Sequence, residues 1–227
     1  LNKWLFAATA SAVLLGASLG LTSAPAVAQQ NSTNGAHSYT ISPEQSQLYV
    51  QVYHARDTIA SGFAHDHVVR AGTLQGKVSF DPDNPRACSL SLSVPVRDLV
   101  VDEPELRRAV GYEDMLDDRD RNKVRANMLA EGQLDAATYP TIDFRAADCR
   151  PVEGKDEVYQ VRLTVTVRGK QKTRPVIVHI ETEGDSLRAR NAFNMKHSDF
   201  GMEPYSALMG AVGNAQPIRF VTRLRAD

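Results

Sequence analysis

Residues 158–182 read VYQVRLTVTVRGKQKTRPVIVHIET. Tyr159, Val161, Leu163, Val165 and Val167 fall on one side of an extended chain, and Gln160, Arg162, Thr164 and Thr166 on the other. After the polar turn Gly169-Lys170-Gln171-Lys172 the pattern resumes with Val176, Val178 and Ile180. A period of two residues means strands with one apolar and one wet face. A chain built mostly of such strands must close around its apolar face. What that interior holds becomes the functional question.

Outward from this stretch, further strands are expected at 38–41, 47–54, 62–70, 73–80, 88–99, 141–148, 187–194 and 217–225, with the quoted residues forming strands at 157–167 and 175–182. Asp81-Pro82-Asp83-Asn84-Pro85 is a strong turn, and 198–215 reads as a long Gly-containing loop. Residues 104–134 change character: Leu106, Val110, Leu116, Val124 and Met128 fall near helical spacing. Pro104 suits a first helical turn and Gly111 breaks the run into two short helices. The pattern predicts an all-β fold with a helical insertion, an antiparallel barrel or sandwich, and closure into a barrel takes about eight strands.

In such a barrel Leu74, Val78, Leu92 and Val94 point inward from the first half. Ile142, Phe144, Val161, Leu163, Val165, Val176, Val178 and Ile180 do so from the second. These residues either fill a solid core or line a cavity, because a small barrel can be packed shut.

The N-terminal residues read Leu1-Asn2-Lys3-Trp4, then an apolar run to Leu21, then Ala26-Val27-Ala28. A basic start, an apolar middle and a small-x-small site make a secretory signal peptide over 1–28. A retained membrane anchor fits the Ala, Ser and Gly content and the cleavage signal less well. The expected organisation is a signal at 1–28, a flexible polar leader at 29–37 and one β domain at 38–227, without a transmembrane anchor once the signal is removed. Leu1 in place of Met suits an alternative bacterial start codon, so a periplasmic or secreted location is expected. The formal net charge is −1 and no basic patch with interleaved aromatics is present, which argues against a nucleic-acid partner.

Cys88 and Cys149 are the two cysteines, and in an oxidising compartment a lone pair is usually a disulfide. Parity opposes a simple bridge: Leu90, Leu92 and Val94 put Cys88 on the apolar face, whereas Ile142, Phe144 and Ala146 put Cys149 on the polar one. The bridge therefore requires a bulge or a change of course near Ala147. Free thiols are the alternative.

Catalytic patterns are unsupported. Gly16-Ala17-Ser18-Leu19-Gly20 mimics a hydrolase nucleophile elbow but lies in the signal peptide. Asp199-Phe200-Gly201 lacks the glycine-rich loop and catalytic loop of a kinase. No catalytic residues are assigned. Phe63-Ala64-His65-Asp66-His67-Val68 stands out instead. On a strand, His65 and His67 share one face, and His54 approaches from the preceding strand, a set that could hold zinc or copper. His179 and His197 are more distant candidates. Without metal, neutral imidazoles at a barrel mouth could grip a polar lipid headgroup.

Three stretches carry a resemblance. Ala137-Thr138-Tyr139-Pro140-Thr141-Ile142-Asp143-Phe144, then Leu163 to Val176 (LTVTVRGKQKTRPV), then Lys196-His197-Ser198-Asp199-Phe200-Gly201 occur in an order similar to the YceI-like family of secreted, lipocalin-like barrels. The resemblance spans 38–226. It implies an eight-stranded barrel with an elongated apolar pocket for a lipid tail, and an association with polyisoprenoids and other lipids. It departs at His65-Asp66-His67, where the family more often has simple strand residues. The expectation is an exported, non-catalytic binding protein for a lipid or isoprenoid-type amphiphile, with no cofactor beyond that lipid. The alternative is a metal-binding protein using the His65/His67 pair.

Overall fold

The computed structural model describes residues 36–227; the expected signal peptide and most of the leader lie outside the described residues. Among the described residues the elements are, in order, β1 (His37–Thr40), β2 (Gln47–His54), β3 (His67–Ala71), β4 (Gln75–Phe80), β5 (Ser89–Pro95), β6 (Leu99–Val101), α1 (Pro104–Ala109), α2 (Asp118–Leu129), β7 (Thr141–Pro151), β8 (Val158–Val167), β9 (Lys170–Glu183), β10 (Ser186–Lys196), β11 (Ser206–Ala207) and β12 (Val212–Ala226). One antiparallel sheet carries eleven of the strands in the order β1-β4-β5-β7-β8-β9-β10-β12-β2-β3-β6, and β11 pairs with β12. The sheet curls on itself. Ile41, just past β1, donates to the Gly76 carbonyl of β4, while Thr40 and Asp227 exchange backbone hydrogen bonds beside β12.

The quoted stretch forms the hairpin β8–β9, with Val158 opposite His179 and Val167 opposite Lys170. Val161, Leu163, Val165, Val167, Val176 and Ile180 are buried. The turn is tighter than the sequence pattern predicted: Arg168 (φ 49°) and Gly169 (φ 68°) make it alone, so β9 begins at Lys170. Two central residues with positive φ match the right-handed twist of the flanking strands.

The ten expected spans, already more than the eight of the implied barrel, become twelve strands because one span splits and the short β11 is added. The strand expected over 88–99 is broken by a 3₁₀ turn at Val96–Asp98, so β5 pairs with β4 and β7 whereas β6 pairs with β3. Residues 61–66 do not extend β3: Ser61–Phe63 is a 3₁₀ turn, and the strand starts at His67. β12 starts inside the expected 198–215 loop, at Val212. Its register against β2 slips between Asn214 and Ile218, around Pro217, which has no N–H for a ladder.

Between β6 and β7 lie the two helices. Gly111 (φ 84°) follows α1 and turns the chain. Asp117 caps α2 by accepting from the Asp120 N–H at 2.8 Å. Val124, Met128 and Leu129 of α2 pack against the core. Among the described residues no helix is long and apolar enough to cross a membrane.

Cys88 and Cys149 are disulfide-bonded, with Cα atoms 5.9 Å apart. The parity conflict is resolved where β7 changes course: Asp148 adopts φ 56° and the β7–β8 register slips between Ala147 and Arg150. Cys149 is thereby turned to the buried side, 3 % exposed, to meet Cys88. The bridge spans 61 residues, a loop whose closure is worth about 4 kcal/mol through the unfolded chain. Replacing both cysteines with serine should lower the urea unfolding free energy by about that amount. Reductant should destabilise the wild type and leave the double variant unmoved.

Candidate functional site

The interior of the curled sheet is not solid. A cavity of about 180 Å³ lies under α2. Its walls come from Val50 and Val52 of β2, Ile142 and Phe144 of β7, and Ile218 and Phe220 of β12. Val124 and Met128 of α2, with Leu134, cover one side, and Phe200, Met202 and Tyr205 from the segment after β10 cover another. A second cavity of about 80 Å³ lies against the disulfide and β8–β9.

Leu48 and Phe144 line both spaces. Phe220 faces the first and Phe193 the second, their rings stacked 5.0 Å apart, and Phe144 meets Phe220 edge-on at 6.1 Å. These three rings form a partition of apolar surface between the chambers.

The predicted interior residues divide between the two. Val94 and Ile142 line the larger cavity, and Phe144 lines both. Val78, Leu92, Val161, Leu163, Val176, Val178 and Ile180 line the smaller one. Leu74 and Val165 line neither; both are sealed in packed core, at 3 % and 0 % exposure. The 198–215 segment, which the sequence places at the mouth, does cover the cavity, whereas the covering role of α2 and the individual residues were not foreseen. Val124 and Met128 were recognisable as the apolar side of a helix, but their spacing carries no record of what the helix lies on. Met202 and Tyr205 sit in a segment without periodicity.

The histidines do not converge. His54 Nδ1 donates to Asp66 Oδ1 at 2.7 Å, His65 Nδ1 is paired with Asp114 at the surface, and His67 Nδ1 donates to Asp102 Oδ2 at 2.7 Å. The predicted same-face pair depends on an extended chain through 65–67, and β3 begins only at His67. Among the described residues His65, His67 and His54 are not gathered into one ligand set, and nothing in their geometry favours the metal reading: each Nδ1 faces its own carboxylate. Among the described residues, Glu157, His179 and Glu181 bring three ligand atoms within 4.8 Å of one another, on the partly exposed β8–β9 edge. Glu181 there also faces Arg190 at 3.5 Å.

His67 does line the larger cavity, held from behind by a buried network. Asp102 and Arg107 are both 0 % exposed. Asp102 Oδ1 accepts from Arg107 Nη1 at 2.7 Å and from the Val68 N–H at 2.9 Å, while the Asp102 N–H donates to the Val68 carbonyl at 2.8 Å. Arg107 also donates to the Asp66 carbonyl and to Asp114 Oδ1 and carbonyl oxygens, and its guanidinium lies 5.2 Å from the centre of the Tyr112 ring. Burial alone would push the Asp102 carboxyl up, but His67, the Val68 N–H and Arg107 together hold it below the usual carboxylate range. Burial pushes the Tyr112 phenol up to about 12.

His197, also on the cavity wall, donates Nδ1–H to the Gln216 carbonyl at 3.1 Å. Its burial lowers the imidazole pKa and favours the neutral ring.

An antiparallel sheet curled around an apolar, two-chambered interior defines an all-β, barrel-like fold. Residues 39–224 match the YceI-like domain, and the chain belongs to that family. BcnA of Burkholderia cenocepacia superposes with a TM-score of 0.60 at 17% identity, covering 82% of this chain and 99% of that one. A polyisoprenoid binding domain from Saccharophagus degradans, implicated in plant cell wall breakdown, superposes with a TM-score of 0.55 at 10% identity, covering 83% of this chain and 97% of that one. At these identities the likeness is one of fold. No curated protein sequence matches the chain.

Two outcomes follow from the site. Phe144→Ala should join the chambers, so the longest alkyl chain bound, read by competition with a fluorescent fatty acid, increases by several carbons. His197 has a lowered native pKa, so the unfolded state takes a proton before the folded state does as pH falls. Its contribution is therefore intact above about pH 6.5 and is lost as pH falls towards the lowered native value. Urea unfolding between pH 7.5 and 5 should show a smaller loss of stability in His197→Gln than in wild type.

Proposed function

We propose that this protein is an exported, non-catalytic binding protein that holds the apolar part of a lipid or isoprenoid-type amphiphile in its larger cavity. The observation carrying this reading is the 180 Å³ space itself, open beneath α2 and walled by aliphatic and aromatic side chains. Ligand sites are concave, mostly apolar and punctuated by a few placed polar groups. The polyisoprenoid binding domain among the similar folds supports the choice of ligand class. Export is supported by the N-terminal signal pattern and by a disulfide, which persists in oxidising compartments. The smaller chamber serves as extra depth for a longer tail once the Phe144–Phe220–Phe193 partition yields.

Organic extraction of the purified protein followed by mass spectrometry is the test. A long-chain lipid should be released from the wild type. Met128→Glu places a carboxylate against the apolar wall, so the released lipid should fall about tenfold or more. Protein that releases no lipid and takes up none from added mixtures would contradict the reading.

A further inference from the structure

Two histidines on the cavity wall are held from outside it: His197 by the Gln216 carbonyl, and His67 by a buried carboxylate. Asn127 Nδ2 donates to the Tyr205 hydroxyl at 3.1 Å, and Gln133 Nε2 to the Glu203 carbonyl at 3.2 Å, so those two tie covering segments together. Asn214 lines the cavity too, but also faces the outer groove beside Pro204 and Ala215. His67 differs. Its Nδ1 is bound to Asp102, which is itself held by Arg107 and Val68 with no exposure to solvent. Its Nε2 has no protein partner among the described residues and is not sealed away.

A buried ion pair contributes little net stability compared with apolar residues of the same size. Here Asp102 and Arg107 also do something apolar residues could not: they define which ring nitrogen carries hydrogen. Asp102 accepts from Nδ1, so a neutral His67 presents the lone pair of Nε2.

We propose that His67 is the headgroup-recognition residue of the cavity, and that it selects amphiphiles ending in a hydroxyl. The hydroxyl donates to Nε2 while the hydrocarbon lies against the apolar wall. This rests on the binding function proposed above and adds the chemistry of the ligand's polar end. A long-chain alcohol satisfies the nitrogen, whereas an ether of the same chain offers only acceptors and leaves the lone pair unmatched. One neutral hydrogen bond of this kind corresponds to roughly fivefold to tenfold in affinity.

Farnesol and farnesyl methyl ether distinguish the outcomes when each is titrated into the whole protein, after lipid removal, at pH 8. The wild type should prefer the alcohol by roughly fivefold to tenfold. His67→Leu should lose the preference, while His179→Leu, at a residue that lines neither cavity, should keep it. Equal binding of both probes by the wild type, or a preference that survives in His67→Leu, overturns the assignment and leaves the binding function standing. Failure of both probes to bind overturns the two together. Should His67→Leu not fold by circular dichroism, His67→Phe replaces it, and the wild-type ratio still decides.

Discussion

A sheet whose strands are apolar on one face must curl until that face is hidden from water, and the curl sets how much room is left inside. Eleven strands share one continuous hydrogen-bonded path here, and their inward side chains do not fill the interior. The remaining space is closed by α2 and the segment after β10 rather than by more sheet. Stability and function therefore draw on the same surface: fully burying one Val, Leu, Ile or Phe side chain is worth about 1.5–3 kcal/mol. The unfilled wall is apolar surface with no partner from the chain itself.

How much of this was legible depended on whether a signal was local. Alternation in 158–182 identified the hairpin and its buried face, because a period of two is written in consecutive residues. The clash between Cys88 and Cys149 even located the bend in β7, since opposite residues must share a face. The larger strand count was hidden because Val96–Asp98 looks like more strand; what breaks it is pairing of the flanking residues to different neighbours. The separate partners of the histidines were hidden for a similar reason. Alternation puts His65 and His67 side by side only if the chain is extended, and the carboxylates that claim them lie far off in sequence, at Asp114 and Asp102. Asp102 and Arg107 carried no sign of burial among the many charged residues of their segment.

The energetics also bear on what a binding protein of this kind can do. Each methylene removed from water gains about 0.8 kcal/mol, but a lipid tail in a bilayer has gained it already. Transfer into the cavity is then nearly balanced for the hydrocarbon, and selectivity falls to the few polar contacts. On the proposed reading, an imidazole oriented by a network with no exposure to solvent is one of those few contacts in a mostly apolar wall.

The central claim is that the chain leaves a dry apolar space at its centre. Crystals pressurised with xenon test it directly, because such spaces take up xenon and polar or filled ones do not. Strong xenon density between Met128, Phe144 and Ile218 is the expected result. Side chains occupying that volume, or ordered water hydrogen-bonded throughout it, would contradict the account.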